Sequence, residues 1–120
     1  MVVTNYTRNQ MSLLLGGSAS NYVEYFIIGS GSGTASASDT ALEYAVDRQA
    51  VTAVTYPATQ VASWQGDWNS VEMSGIQLQQ FGMITSGAGV TGSVWSKTSL
   101  PPLTFDGTNE LRVEESWEVY

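Results

Sequence analysis

The sequence predicts a mainly β protein, an antiparallel β-sandwich (jelly-roll-like) with one N-terminal α-helix over residues 1–17 packed on it, all in one domain over residues 1–120. Three observations carry this expectation. Short segments with an apolar residue at every second position recur along the chain. Gly-rich and Ser-rich turns separate them at fairly regular spacing. A helical spacing of apolar residues occurs once, near the start. A chain of 120 residues is the length of one domain and can bury about two-thirds of its unfolded surface.

Thr4 or Asn5 caps the helix, because a short side-chain oxygen accepts a free backbone N–H of the first turn. Tyr6, Gln10, Met11, Leu14 and Leu15 form its stripe, and Gly16-Gly17 stops it. Segment 22–28 is aromatic and β-branched apart from Glu24, and reads as a strand buried on much of both faces. The Gly- and Ser-rich run 29–38 offers nothing to bury and reads as an exposed loop, tolerant of a tag between Ser32 and Gly33. Residues 39–43 read as a capped helical turn, with Asp39 the cap and Leu42 the apolar anchor. Segment 50–56 is a strand ended by Pro57. Segment 61–68 is the next, with Ala62, Trp64, Gly66 and Trp68 on one face. Residues 69–75 form a turn or short helix. In segment 76–84, Ile76 and Leu78 share a face while Phe81 and Met83 take the opposite parity, so a β-bulge is expected at Gln79-Gln80. Gly87-Ala88-Gly89 turns the chain into a strand over 92–97, and Pro101-Pro102 marks an edge or a loop. The last strand covers 110–120, with Leu111, Val113, Trp117 and Val119 on one face.

Composition excludes whole classes of chemistry. The chain has no Cys and no His, which removes thiolate nucleophiles, disulfides, imidazole bases, Ser-His-Asp triads and zinc sites with S or N ligands. Charged residues make up 12%, about half the usual share, and their place is taken by 15 Ser, 12 Thr and 12 Gly. The net charge of -7 rests on 11 acids against 4 scattered bases, which argues against nucleic acid and against an anionic membrane as partners. No basic segment precedes an apolar run, so no secretory leader is expected. The longest purely hydrophobic run, Tyr25-Phe26-Ile27-Ile28, is far too short to cross a bilayer. Binding or structure is therefore expected rather than catalysis, with no cofactor and no metal.

The remaining candidates are few. Gly29-Ser30-Gly31-Ser32-Gly33 is GxGxG rather than a dinucleotide or Walker pattern, and no base lies between Arg8 and Arg48 to meet a phosphate. Asp67 with Glu72, and Glu114 with Glu115, are the carboxylate pairs that acid–base chemistry would need. Asp67 ends a Trp-rich strand, so Trp64, Trp68 and Asp67 are the candidates for glycan contact; the competing reading puts both tryptophans in the core. Asp67, Asn69 and Glu72 offer oxygen ligands to a cation but do not match a calcium loop. Glu115 stands out because its parity places it with Leu111, Val113 and Trp117, where an unpaired charge is costly. It pairs with an Arg, sits at a second bulge, or points into a subunit interface; Arg48 is the expected partner. Glu115, Trp117 and Tyr120 are the candidate interface residues.

The order of these signals resembles a widespread family of small virion structural proteins of tailed bacteriophages, tail fibre-like or tail-collar-like β-sandwich modules. The resemblance lies in Ile28-Gly29-Ser30-Gly31-Ser32-Gly33-Thr34, Asp39-Thr40-Ala41-Leu42, Asp47-Arg48, Gln80-Phe81-Gly82, a Gly-Ser-Val-Trp strand, Pro101-Pro102-Leu103-Thr104-Phe105 and Glu110-Leu111-Arg112-Val113-Glu114, and spans nearly the whole chain. It implies a non-enzymatic protein of the virion, made in the host cytoplasm, that assembles symmetrically with itself as a trimer or larger and with other virion proteins. The tail, baseplate or fibre is the preferred location. A capsid decoration protein and a carbohydrate-binding module for a host glycan are the alternatives. The family often has Glu where this chain has Gln80, which leaves Arg48 freer for Glu115. It carries no catalytic residues over.

Overall fold

The computed structural model describes residues 1–18, 22–85 and 93–119, and within them eight strands form two antiparallel sheets. The elements are β1 (Val2–Val3), α1 (Asn5–Leu15), β2 (Tyr25–Gly29), β3 (Ala45–Ala50), β4 (Ala53–Ala58), β5 (Val61–Trp68), α2 (Ser70–Met73), β6 (Gln77–Ile84), β7 (Val94–Thr104) and β8 (Leu111–Glu118). The larger sheet has the order β1-β7-β6-β2-β3 and the smaller β4-β5-β8. This is the β-sandwich with an N-terminal helix that the period-two segments predict.

The core lies between the sheets. Phe26 and Ile28 of β2, Leu78 and Met83 of β6 and Trp95 of β7 face Trp68 of β5 and Val113 of β8. Met73 of α2 and Phe105 join them. Each such side chain contributes about 1.5–3 kcal/mol by leaving water. The expected inward face of β5 is present, and Gly66 has a specific role there. A Cβ at Gly66 would lie 2.6 Å from Cδ2 of Phe26, so the ring of one sheet rests directly on the backbone of the other. Outward, β5 and β8 are polar: Ser116 donates to Ser63 at 2.8 Å, and Arg112 pairs with Asp67 at 2.8 Å.

Several expectations change. The expected single strand over 50–56 is two strands, β3 and β4, which lie in different sheets and are joined by a corner at Val51-Thr52. There the N–H of Val51 reaches the carbonyl of Glu24, and that of Thr52 reaches Gln65. Pro57 does not end the strand; it lies inside β4 at a register shift, on a sheet edge where its missing N–H costs no ladder bond. The irregularity expected at Gln79-Gln80 is where β6 and β7 lose register. The extra residues belong to β7, however: Leu78 pairs with Leu103 and Gln80 with Ser99, so Leu100-Pro101-Pro102 stand opposite Gln79 alone.

The helix also docks differently. Thr4 is its N-cap. The hydroxyls of Thr4 and Thr7 donate to β7 carbonyls, at 2.5 Å to Val94 and 2.6 Å to Trp95, and both residues are fully buried. Tyr6 stacks edge-on against Trp95. Of the expected stripe, Tyr6 and Gln10 do face the sheet, joined by Thr7, whereas Met11, Leu14 and Leu15 are exposed.

The run 29–38 is not a free loop. Residues 30–44 return as a flap over the outer face of the larger sheet. Leu42 anchors it against Ile27, Ile84 and Val94. No helical turn forms at 39–43. Asp39 instead accepts from the N–H of Ser36 and pairs with Lys97, which is only 3% exposed. Gln80, fully buried, clasps the flap from both sides: its Oε1 accepts from the N–H of Glu43 at 3.0 Å, and its Nε2 donates to the carbonyl of Gly33 at 3.0 Å. Gly31 and Gly33 press against Glu43, where any Cβ would collide, so these glycines permit close packing rather than freedom.

Candidate functional site

The inner face of β8 carries two of the three expected interface residues, Glu115 and Trp117. Strict alternation puts Leu111, Val113, Glu115 and Trp117 inward, and eight-residue pairing with β5 fixes the register, with Trp64 opposite Glu115 and Ala62 opposite Trp117. Glu115 is 6% exposed. Its Oε2 accepts from the Ser96 hydroxyl of β7 at 2.8 Å and from the Trp117 indole N–H at 2.8 Å. Its Oε1 has no partner. Burial pushes this carboxyl above the usual glutamate range, against the opposing pull of the two donors and of the N-terminal amino group. Arg48 is not its partner, which corrects that expectation. Arg48 pairs in register with Ile27, on the far side of the larger sheet, and its guanidinium lies 4.4 Å over the Tyr25 ring. Nor is there a second bulge in β8 to turn Glu115 outward.

Trp117 is half-buried and meets Trp64 edge to face at 5.6 Å. Two shallow grooves flank it. One, of about 500 Å³, lies between the N-terminus and the end of β8 and includes Met1, Val3, Met11, Trp117 and Val119. The other, of about 450 Å³, includes Tyr56, Val61, Trp64, Trp117 and Val119. Both are walled mostly by apolar side chains. Beyond them α1 turns Met11, Leu14 and Leu15 outward, Leu15 being 90% exposed. Tyr120 lies outside the described residues.

The expected glycan residues are separated by burial. Trp68 is 1% exposed and its indole N–H is held by Asp47 at 2.9 Å, so neither ring face is open to a sugar. Trp64 is half-buried under Trp117. Asp67 lies in a polar groove of about 460 Å³ beside Asn69 and Glu110. Its carboxylate is already taken by Arg112, Gln65 and Thr52, and these donors, Arg112 foremost, hold it below the usual aspartate range. Glu72 does not join it, because Asn69 and Glu72 close a capping box on α2. Glu114 and Glu115 point to opposite sides of β8. The sequence-level carboxylate pairs therefore do not form pairs, and no group of three potential metal ligands occurs among the described residues. No helix among them is long and apolar enough to cross a membrane.

The outward apolar side of α1 escaped sequence reasoning. The signal was present: Leu13-Leu14-Leu15 is continuous, and a helix docked by Thr7 and Gln10 has to leave part of it outside. No protein-family model, curated protein or solved structure matches this chain.

Proposed function

We propose that this chain is a non-enzymatic structural protein of a tailed-bacteriophage virion, on the tail, baseplate or fibre side, which assembles with copies of itself and with other virion proteins. The observation that carries the reading is exposed apolar surface: Met11 of α1 lines the groove of Met1, Val3, Trp117 and Val119, and Leu14 and Leu15 of the same helix are also open to water. A helix that binds its own sheet through threonine hydroxyls and offers leucines to water has the surface of a subunit rather than of a solitary monomer. Scarce surface charge supports the same reading, since fewer ions need to be stripped of water on contact. The motif order described above supplies the virion context. Light scattering on the purified protein tests assembly: a trimer or larger is expected, and Met11→Glu with Leu14→Glu reduces it to a folded monomer. A wild type that stays monomeric at its highest soluble concentration overturns the assembly reading. Antibody labelling of purified virions tests the location, and an unlabelled particle overturns it.

A further inference from the structure

We propose that Glu115 is a proton-operated latch between the two sheets: with its carboxyl neutral it holds β8 closed on β7, and when it ionises β8 and the Trp117 end loosen. The geometry is that of a cross-sheet tie. Glu115 is the residue of β8 that reaches Ser96 on the opposite sheet, and the same oxygen fixes the Trp117 indole. An ionised carboxylate with one bare oxygen in this setting lacks the compensation that a buried charge requires. A neutral carboxyl keeps both accepted bonds at no such cost.

No side-chain ion on the surrounding strands faces it. From β7 the inward polar residues are Ser96 and Thr98, and the Thr98 hydroxyl is likewise buried without a partner. Lys97 turns to the opposite side and is engaged by Asp39. From β5 the inward neighbours are Ala62, Trp64 and Gly66, while Asp67 is turned outward to Arg112. Glu114 and Glu118 occupy the outward face of β8. β1 contributes two valines, and Arg8 of α1 is exposed and bonded to Asn5. The Met1 amino group is the one cation felt at Glu115. The raised folded-state affinity for a proton means that the folded state gains from protonation at and below the ordinary value of 4.5, and loses that gain as pH rises through the higher folded value. β8 is the part free to respond because it is bonded to β5 on one side only.

The test is a pH titration of the wild-type chain by NMR, reading the Glu115 carboxyl carbon, the Trp117 indole N–H and the exchange of β8 amides corrected for intrinsic pH dependence. The carboxyl is expected to titrate above 4.5. The indole shift should follow with the same midpoint, and β8 amides should exchange several-fold faster above that midpoint than below it. In Glu115→Gln the indole signal should stay near its low-pH position and the change in exchange should vanish. A Glu115 that titrates at or below 4.5 overturns the latch, as does a Trp117 indole that ignores the titration. Because the wild-type measurement decides by itself, a variant that fails to fold does not blunt the test.

Discussion

Substituting Gly66 by alanine should strain the contact between the two sheets. The new methyl carbon would lie 2.6 Å from Cδ2 of Phe26, 3.2 Å from Cγ and 3.3 Å from Cε2. Ordinary carbon contacts are about 3.5–4.0 Å, so the ring or a sheet has to retreat by about 1 Å. Phe26 is fully buried and has no room to swing aside. Overpacking of this kind costs about 1–3 kcal/mol. In a domain of this size each kcal/mol lowers Tm by roughly 3–6 °C. Phe26→Leu alone should cost about 1–2 kcal/mol, less than the roughly 3–5 kcal/mol of full truncation. In the double variant the methyl meets a smaller neighbour, so the two costs should fall short of their sum by about 1–2 kcal/mol. Urea denaturation followed by circular dichroism on the four proteins measures this coupling. Strictly additive costs, or a neutral Gly66→Ala, would refute the idea that Phe26 sets the sheet spacing at this point.

Three further outcomes are expected. Gln80→Glu loses the donation to Gly33 and sets a carboxylate against that carbonyl, at a cost of about 2–3 kcal/mol in denaturant unfolding, whereas Gln80→Glu of wild-type stability would show the flap to be unclasped. Wild-type stability should fall as pH rises from 4.5 toward neutrality because of the raised Glu115 carboxyl, and Glu115→Gln should flatten that slope; the depressed Asp39, Asp67 and Asp106 act in the other direction and only below 3.8. A short tag between Ser32 and Gly33 should lower Tm measurably, because Gly33 is held by Glu43, Gln80 and Ser99. An unchanged melting curve would mean that those bonds contribute nothing.

Period-two patterning made the inward faces of β5 and β8 legible, residue by residue, because both strands are long and bury one side. It missed β3, whose Asp47, Arg48 and Gln49 carry no alternation; that strand exists because β2 supplies a full partner and Trp68 a use for Asp47. The flap was misread for a related reason. Glycine in a polar run usually marks mobility, and only the tertiary contacts show Gly31 and Gly33 pressed against Glu43. The oddity of Glu115 was visible in its parity, but not its partner. Charge bookkeeping favoured Arg48, while the fold answers with a hydroxyl and an indole from residues that pairwise charge arguments do not weigh.

The borders of the two sheets share a property with a consequence for crowded conditions. An open strand invites strands from other molecules, and tandem growth of that kind ends in aggregates. Here each border is spoiled in its own way. β1 is two residues long. Past Lys97 the free side of β7 carries Pro101 and Pro102, which have no N–H to give. β3 is bulged at Val46, β4 is kinked around Pro57, and β8 carries a carboxyl on its inward face. Edge-to-edge fusion of crowded molecules is therefore disfavoured at the borders of both sheets, and any contact between molecules falls to side chains rather than to backbone ladders.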